Sequence, residues 1–366
     1  MEATASSRTT DGVWRERDTT PAAIEEAIRR LLNEAHAENA SYVPARVMNL
    51  VCIVDKEWSG EIANRLRRVG RHHPSRTVVC AVEPRRTTLD AVATVAGPAE
   101  TKPGDFAVLR ETVLVTCGPQ HLARLDTIVD PLVVTDLPTM VWSPHGHPEA
   151  VDALRGMSQI VLLDSVSEPD VGEALRRAAD LAGELYVVDL AWLRSTPWRE
   201  RIAATFDPAT VREDLRLLSS VAIRHHPDSA AAALLLVGWL GSRLGWELSP
   251  LVSRGGAAGS RVGTAHARRQ DVKLTLDADA TMSVPGLAGV ALESASGRAL
   301  RFDRGEGGLR ARYRHRQRGH EDVEREWTIL GASRGEAGIL GEGIRQALLR
   351  DPTYGPALEA ALVLVR

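Results

Sequence analysis

The chain is poor in cysteine, lysine and most aromatics. Of its 366 residues only three are cysteine, Cys52, Cys80 and Cys117, and only three are phenylalanine. So few thiols, odd in number, exclude a disulfide framework and point to a reducing, cytoplasmic setting. Each lies in a strand-like apolar run, which favours inert packing over reactivity. Lysine occurs only at positions 56, 102 and 273, so positive charge is carried almost entirely by arginine. Neither sign of charge dominates: the net charge is −3, which gives no general attraction to nucleic acid or to an anionic membrane. The longest apolar run, Ala230 to Gly241, is too short to span a bilayer and is followed by Arg243. The N-terminus has no signal-peptide apolar core.

What is present fits a large soluble core. The apolar fraction is 44% and the charged fraction 25%. The length suggests two domains. Residues 1–20 are polar and patternless and read as a flexible tail. Thr20-Pro21 opens a helix through about His36, with Ile24, Ile28, Leu31 and Leu32 as its stripe. From Arg46 to Leu190, Val/Ile/Leu-rich strand runs alternate with helical segments. The strands are Arg46 to Val54, Arg76 to Val82, a weaker one near Ala91 to Val95, Phe106 to Thr116, Thr139 to Trp142, Ile160 to Leu163, and Leu185 to Leu190. The helices are Ser59 to Val69, Pro119 to Ile128, His147 to Arg155 and Asp170 to Ala182. Such runs with crossover helices predict a mostly parallel sheet covered on both faces.

Asp228 then caps a helix to about Leu244, apolar nearly all round and so expected to be buried. From Val272 the period changes to two and continues to Ile329, the pattern of an antiparallel meander with one wet face. Helices over Ile339 to Leu349 and Tyr354 to Val365 close the chain. The fold class expected is therefore α/β. An N-terminal, mostly parallel α/β sandwich domain covers 21–168. A C-terminal α+β domain with an antiparallel sheet covers 169–366.

The densest stretch runs from Asp189 to Asp207. Thr196-Pro197 reads as an N-cap with proline at the first helical position. Trp198, Ile202 and Phe206 form one apolar face, and Asp207-Pro208 starts another helix with Val211, Leu215 and Leu218. Trp192, Trp198, Arg194, Arg199 and Arg201 crowd this joint, and Trp and Arg are the residues most enriched at binding hot spots.

Other candidate chemistry is thin. Neither Arg254 to Gly259 nor Gly331 to Gly338 matches a phosphate-loop pattern. Asp55-Lys-Glu-Trp-Ser-Gly60 stands where a dinucleotide fingerprint would follow the first strand of a parallel sheet. His145 and His147 could begin a metal site, but no third ligand follows by spacing, so a polar loop is the better reading. His72-His73 and His225-His226 each precede proline and read as extended turns. Arg310, Arg312, Arg314, Arg316 and Arg318 alternate along one strand; a solvated face is favoured over a nucleic-acid grip, with an acidic protein surface between them. No nucleophile elbow, kinase or zinc-protease signature is present.

Several segments in order resemble the glucose-6-phosphate dehydrogenase assembly proteins, the OpcA family of actinobacteria and cyanobacteria. They are Arg71-His-His-Pro-Ser-Arg76, Leu137-Pro-Thr-Met-Val-Trp142, Asp189-Leu-Ala-Trp-Leu-Arg-Ser-Thr-Pro-Trp-Arg-Glu200, Gly238 to Glu247, and Leu340 to Asp351. The likeness covers roughly residues 20 to 360. It implies a cytoplasmic, non-enzymatic partner of glucose-6-phosphate dehydrogenase, without cofactor or metal. Such a partner promotes the active oligomer as an allosteric activator and so supports NADPH production in the pentose phosphate pathway. The family supplies no catalytic residues. Trp192, Arg194, Trp198 and Arg199 are then candidates for docking the partner or for shaping the surface that docks. The rival reading is an α/β enzyme or sensor that binds a sugar phosphate or nucleotide.

Overall fold

The computed structural model describes residues 11–40, 42–69, 74–97, 107–166, 170–254, 259–316, 322–330 and 335–366. Two compact units are present: Met1–Leu163 with Glu184–Val187, and Asp164–Gly183 with Val188–Arg366.

The first unit holds β1 (Asp11–Glu16), α1 (Pro21–Glu38), β2 (Tyr42–Val43), β3 (Met48–Asp55), α2 (Ser59–Val69), β4 (Ser75–Val82), β5 (Asp90–Ala96) and β6 (Ala107–Val108). It continues with β7 (Arg110–Cys117), α3 (Asp126–Val129), β8 (Thr139–Trp142), α4 (Pro148–Leu154) and β9 (Ile160–Leu163). The next segments are α5 (Val171–Ala182), in the second unit, and β10 (Tyr186–Asp189), at which the chain passes from the first unit to the second. The sheet order is β1-β5-β7-β4-β3-β8-β9-β10. Strands β7, β4, β3, β8 and β9 are parallel, because every turn between them is made by a crossover. Numbered along the chain, the six strands β3, β4, β7, β8, β9 and β10 lie in the order 3-2-1-4-5-6, the doubly wound arrangement, with its switch point between β3 and β8. Their runs are buried almost throughout: Leu50 to Val54 and Val78 to Val82 are at most 4% exposed. The three cysteines sit in β3, β4 and β7, and burial pushes their thiols up, Cys117 to about 11. They are inert at neutral pH.

The N-terminal tail reading needs correction. Asp11–Glu16 is a strand, paired antiparallel with β5 from Asp11↔Ala96 to Glu16↔Ala91. Its sequence gave no sign because it buries little apolar surface; the backbone ladder to the edge of β5 holds it. Helix α1 packs on β5, with Thr20 Oγ1 capping the Ala23 N–H at 3.3 Å.

The second unit continues with α6 (Leu190–Arg194), α7 (Thr196–Phe206), α8 (Ala209–Arg212), β11 (Leu218–His225) and α9 (Ala230–Leu244). Then come β12 (Glu247–Leu248), β13 (Val252–Ser253), β14 (Arg261–His266), β15 (Asp271–Ala278), β16 (Leu287–Ser294), β17 (Arg298–Gly305), β18 (Gly308–His315) and β19 (Val323–Leu330). Helices α10 (Gly335–Leu349) and α11 (Tyr354–Leu364) close it. The sheet order is β12-β14-β15-β11-β16-β17-β18-β19, with β13 beside β14. It is antiparallel except at β11, which runs parallel to β15. Strand β11 replaces the end of the helix expected after Pro208. The α-helix gives way after one turn to a 3-10 stretch, Glu213–Leu217, and Leu218, Val221, Ile223 and His225 then point inward along β11. Helix α9 is buried nearly all round, as its composition requires. It meets α11 closely at Gly238, where a Cβ would collide with the carbonyl oxygen of Ala357. Gly245, at φ +66°, ends it in the left-handed region.

The arginine stripe on β18 faces carboxylates. Arg312 lies 3.2 Å from Glu326, Arg314 is 3.1 Å from Asp322, and Arg310 and Arg316 have longer pairs to the same acids. Arg318, the His72-His73 turn, and residues 255–258 and 331–334 of the two glycine-rich stretches lie outside the described residues. No helix among the described residues is long and apolar enough to cross a membrane.

Candidate functional site: a buried tryptophan–arginine joint

The joint is built entirely within the second unit. Asp189, 1% exposed, ends β10 and caps α6 by accepting the Ala191 N–H at 2.9 Å. It also accepts from the Ser165 hydroxyl at 2.5 Å, the Ser165 N–H at 3.2 Å and the Tyr354 hydroxyl at 3.3 Å. Burial, and after it the nearby charge of Asp164, pushes the Asp189 carboxyl up to about 6 against those hydrogen bonds. Burial, then Asp189, also drives the Tyr354 phenol well above its ordinary value, so it stays a donor.

Helix α6 ends at Ser195, whose buried hydroxyl donates back to the Trp192 carbonyl at 2.7 Å. The Thr196 hydroxyl does not cap α7; it accepts Arg199 Nη2 at 2.9 Å. Arg199, seven residues after Trp192, carries its guanidinium over the indole, 3.5 Å from the ring centroid, and its Nε donates to Ser195 Oγ, four residues back, at 3.1 Å. Trp192 Nε1 donates to Asp351 at 2.8 Å, and Arg199 Nη1 lies 3.7 Å from the same carboxylate. The Tyr354 ring packs on Trp192 at 5.6 Å, tilted by 59°. Burial lowers the Arg199 guanidinium to about 10, with Asp351 opposing, so it stays charged at neutral pH. Burial would raise the Asp351 carboxyl, but hydrogen bonds from Thr353 and Trp192 and the charge of Arg199 hold it below the ordinary value.

Of the four residues picked from sequence, Trp192, Trp198 and Arg199 are buried, at 2%, 3% and 9% exposure. Arg194 makes a bidentate pair with Asp164, at 2.8 and 2.7 Å. Trp192 and Arg199 share one network and Arg194 forms a neighbouring one; Trp198 joins Ile202 and Phe206 in the apolar face. Sequence reasoning missed Asp164, Ser165, Asp351 and Tyr354. The only signal available was position: Asp164 follows a strand run and Asp351 precedes a helix. The network contains no nucleophile–base pair. It is a brace that fixes α6, α7 and the α10–α11 turn against one another.

A second polar group lies in the first unit, at the switch point of the parallel sheet. Asp55 ends β3, its N–H donating to His145 Nδ1 at 3.2 Å and its carboxylate meeting His147 Nε2 at 3.0 Å. His147 adopts φ +59° after Gly146, which turns its ring back toward Asp55. Burial is the main cause lowering the His145 imidazole, so it is neutral at pH 7. Among the described residues no set of three or more His, Cys, Asp or Glu is placed to hold a metal.

Comparison with known proteins gives one consistent result. Residues 66–180 match the model of the glucose-6-phosphate dehydrogenase subunit N-terminal domain, and residues 185–358 that of its C-terminal domain. A protein of Synechococcus elongatus named for the OxPP cycle, OpcA, is 31% identical over 142 residues, 37% of this chain and 32% of that protein. Its namesake in Nostoc punctiforme is 26% identical over 155 residues, 41% of this chain and 33% of that protein. The matched region thus spans about a third of the length of these relatives. Among solved structures, an oxidoreductase domain protein from Kribbella flavida has a TM-score of 0.49 at 13% identity, covering 87% of this chain and 96% of the other. Myo-inositol 2-dehydrogenase from Lactobacillus plantarum scores 0.42 at 9% identity, covering 86% and 94%. These structural scores carry no argument about function. With both halves of one family's description matched in order, the chain belongs to the glucose-6-phosphate dehydrogenase assembly protein family, OpcA.

Proposed function

We propose that this protein is a non-catalytic, cytoplasmic assembly factor that binds glucose-6-phosphate dehydrogenase and favours its active oligomer. The observation that carries the reading is the turn after β3. A doubly wound sheet takes a dinucleotide at its switch point on a glycine-rich turn that lets the backbone approach the pyrophosphate. Here Lys56–Trp58 form a tight helical turn bearing long side chains, and Gly60 comes only after α2 has begun. A chain of this family with that turn is better suited to bind another protein than to transfer hydride. To shift the dehydrogenase toward its active state it must bind that state more tightly than the inactive one. Trp192, Arg194, Trp198 and Arg199 serve in this reading as positioning residues, since their burial favours shaping the docking surface over touching the partner.

Size-exclusion chromatography with light scattering on a mixture with the dehydrogenase tests binding. A complex larger than either component is expected. Two unshifted peaks at micromolar concentration would overturn the proposal.

A further inference from the structure

The first unit carries an open hollow of about 360 Å³ whose lining includes Arg15, Arg17 and Lys56, the acids Glu16 and Asp90, and Val92, Leu114 and Thr116. The ladder explains how it forms. Arg15 of β1 lies opposite Val92 of β5, which lies opposite Leu114 of β7, so the three side chains share one face of the sheet. That face is only half-buried at Val92 and Leu114, whereas the opposite face, with Ala91 and Ala93, is buried under α1. Lys56 follows the carboxyl end of β3 and donates Nζ to Thr116 Oγ1 at 2.9 Å, near the carboxyl end of β7.

The charges are unbalanced in one direction. Both acids are engaged: Asp90 with Arg86 at 2.9 Å and the Asp18 N–H at 3.1 Å, Glu16 with the Thr19 hydroxyl at 2.9 Å. Among the described residues Arg15, Arg17 and Lys56 have no carboxylate partner, whereas Arg29, Arg30, Arg46, Arg65, Arg76, Arg86 and Arg155 in the same unit each face one. Three cations without an ion-pair partner outnumber the one acid, Glu16, whose charge no cation meets, and together with an apolar floor they suit an anionic group with an organic body. Guanidinium groups grip phosphate oxygens in pairs, and the Lys56 ammonium supplies a further point charge. The Thr116 hydroxyl, accepting from Lys56, keeps its own proton to donate.

We propose that this hollow binds a small phosphorylated metabolite. The phosphate meets Arg15, Arg17 and Lys56, and the carbon skeleton rests on Val92 and Leu114. The site uses neither the tryptophan–arginine joint nor the dehydrogenase.

Calorimetric titration and thermal melting of the isolated full chain test it, with inorganic phosphate, a hexose phosphate, the corresponding free hexose and citrate as probes. Saturable binding and a raised Tm are expected with the hexose phosphate. Inorganic phosphate should bind more weakly, and the free hexose not at all. The exposed-residue variant Arg15→Gln/Arg17→Gln should fold normally and lose about tenfold in affinity or more, roughly 1.4 kcal/mol. Lys56→Met should lose affinity too, and Lys56→Arg should largely restore it. No saturable binding of the hexose phosphate would overturn the proposal. So would unchanged affinity in the double arginine variant, or citrate binding as tightly as the phosphate ester.

Discussion

Trp192 and Asp351, 159 positions apart, are joined by a 2.8 Å hydrogen bond from the indole N–H, and Arg199 lies over the face of the same indole. Two separated landmarks of the family resemblance, the Asp189–Glu200 stretch and the Leu340–Asp351 helix, therefore meet in one contact. Replacing Trp192 by Phe keeps a ring under Arg199 but removes the donor to Asp351. Urea unfolding should show a loss of about 1–2 kcal/mol. Arg199→Leu should cost a similar amount, through the lost cation–π contact and the weakened hold on Asp351. Because the two residues share a partner, the double variant should lose less than the two single losses added together. Strict additivity would mean that they act separately.

Asp189 gives the joint a pH dependence. Its folded-state carboxyl is raised to about 6, above the ordinary unfolded value near 3.9. The stability it contributes is therefore fully present below about pH 3.9 and is lost as pH rises through about 6. Between pH 5 and 7.5 the wild-type chain should lose about 1 kcal/mol relative to Asp189→Asn, which has no such titration. Parallel Tm–pH curves for the two proteins would refute the assignment.

Arg194 and Asp164 form a bidentate pair with side chains 13% and 15% exposed. Asp164→Asn should destabilise the protein by about 3 kcal/mol, because Arg194 is left without its counter-charge in a largely buried place. It should also move the Asp189 step to lower pH, since the Asp164 charge is one cause of that raised value. Arg194→Lys should not rescue, because an ammonium cannot reproduce the two parallel bonds. Chemical denaturation across pH reads both effects.

Gly238→Ala should destabilise the second unit by about 2 kcal/mol or more, since the new methyl meets the Ala357 carbonyl where α9 and α11 touch. Gly60→Ala, where a Cβ meets nothing within 4 Å, is the matched control and should be neutral or slightly stabilising. Differential scanning calorimetry compares them directly.

Much of the first sheet was legible because β3, β4 and β7 are dense Val/Ile/Leu/Cys runs, and burial on both faces demands such runs. Strand β11 was not. Val211, Leu215 and Leu218 fit helical spacing, and only pairing with β15 and β16 decides that Leu218 begins a strand. Strand β1 was missed for the opposite reason: Gly12-Val-Trp-Arg-Glu16 has too little apolar patterning, and the ladder to β5 supplies its order. At the joint, the density of tryptophan and arginine marked the right place, and residue types alone suggested a surface. Burial depends on partners such as Asp164, Asp351 and Tyr354, which no local spacing connects to Trp192. The hollow beside Lys56 was equally hidden, because it is assembled across three strands from different parts of the chain.

The central claim is tested most directly by titrating the purified protein into a fixed, dilute amount of glucose-6-phosphate dehydrogenase and following NADPH formation. The account predicts a saturable rise in dehydrogenase activity, with no NADPH formed by the chain alone. It also predicts a weaker rise for folded Trp192→Phe. A flat titration at concentrations where the dehydrogenase is limiting, or NADPH formed by the chain alone, would contradict it.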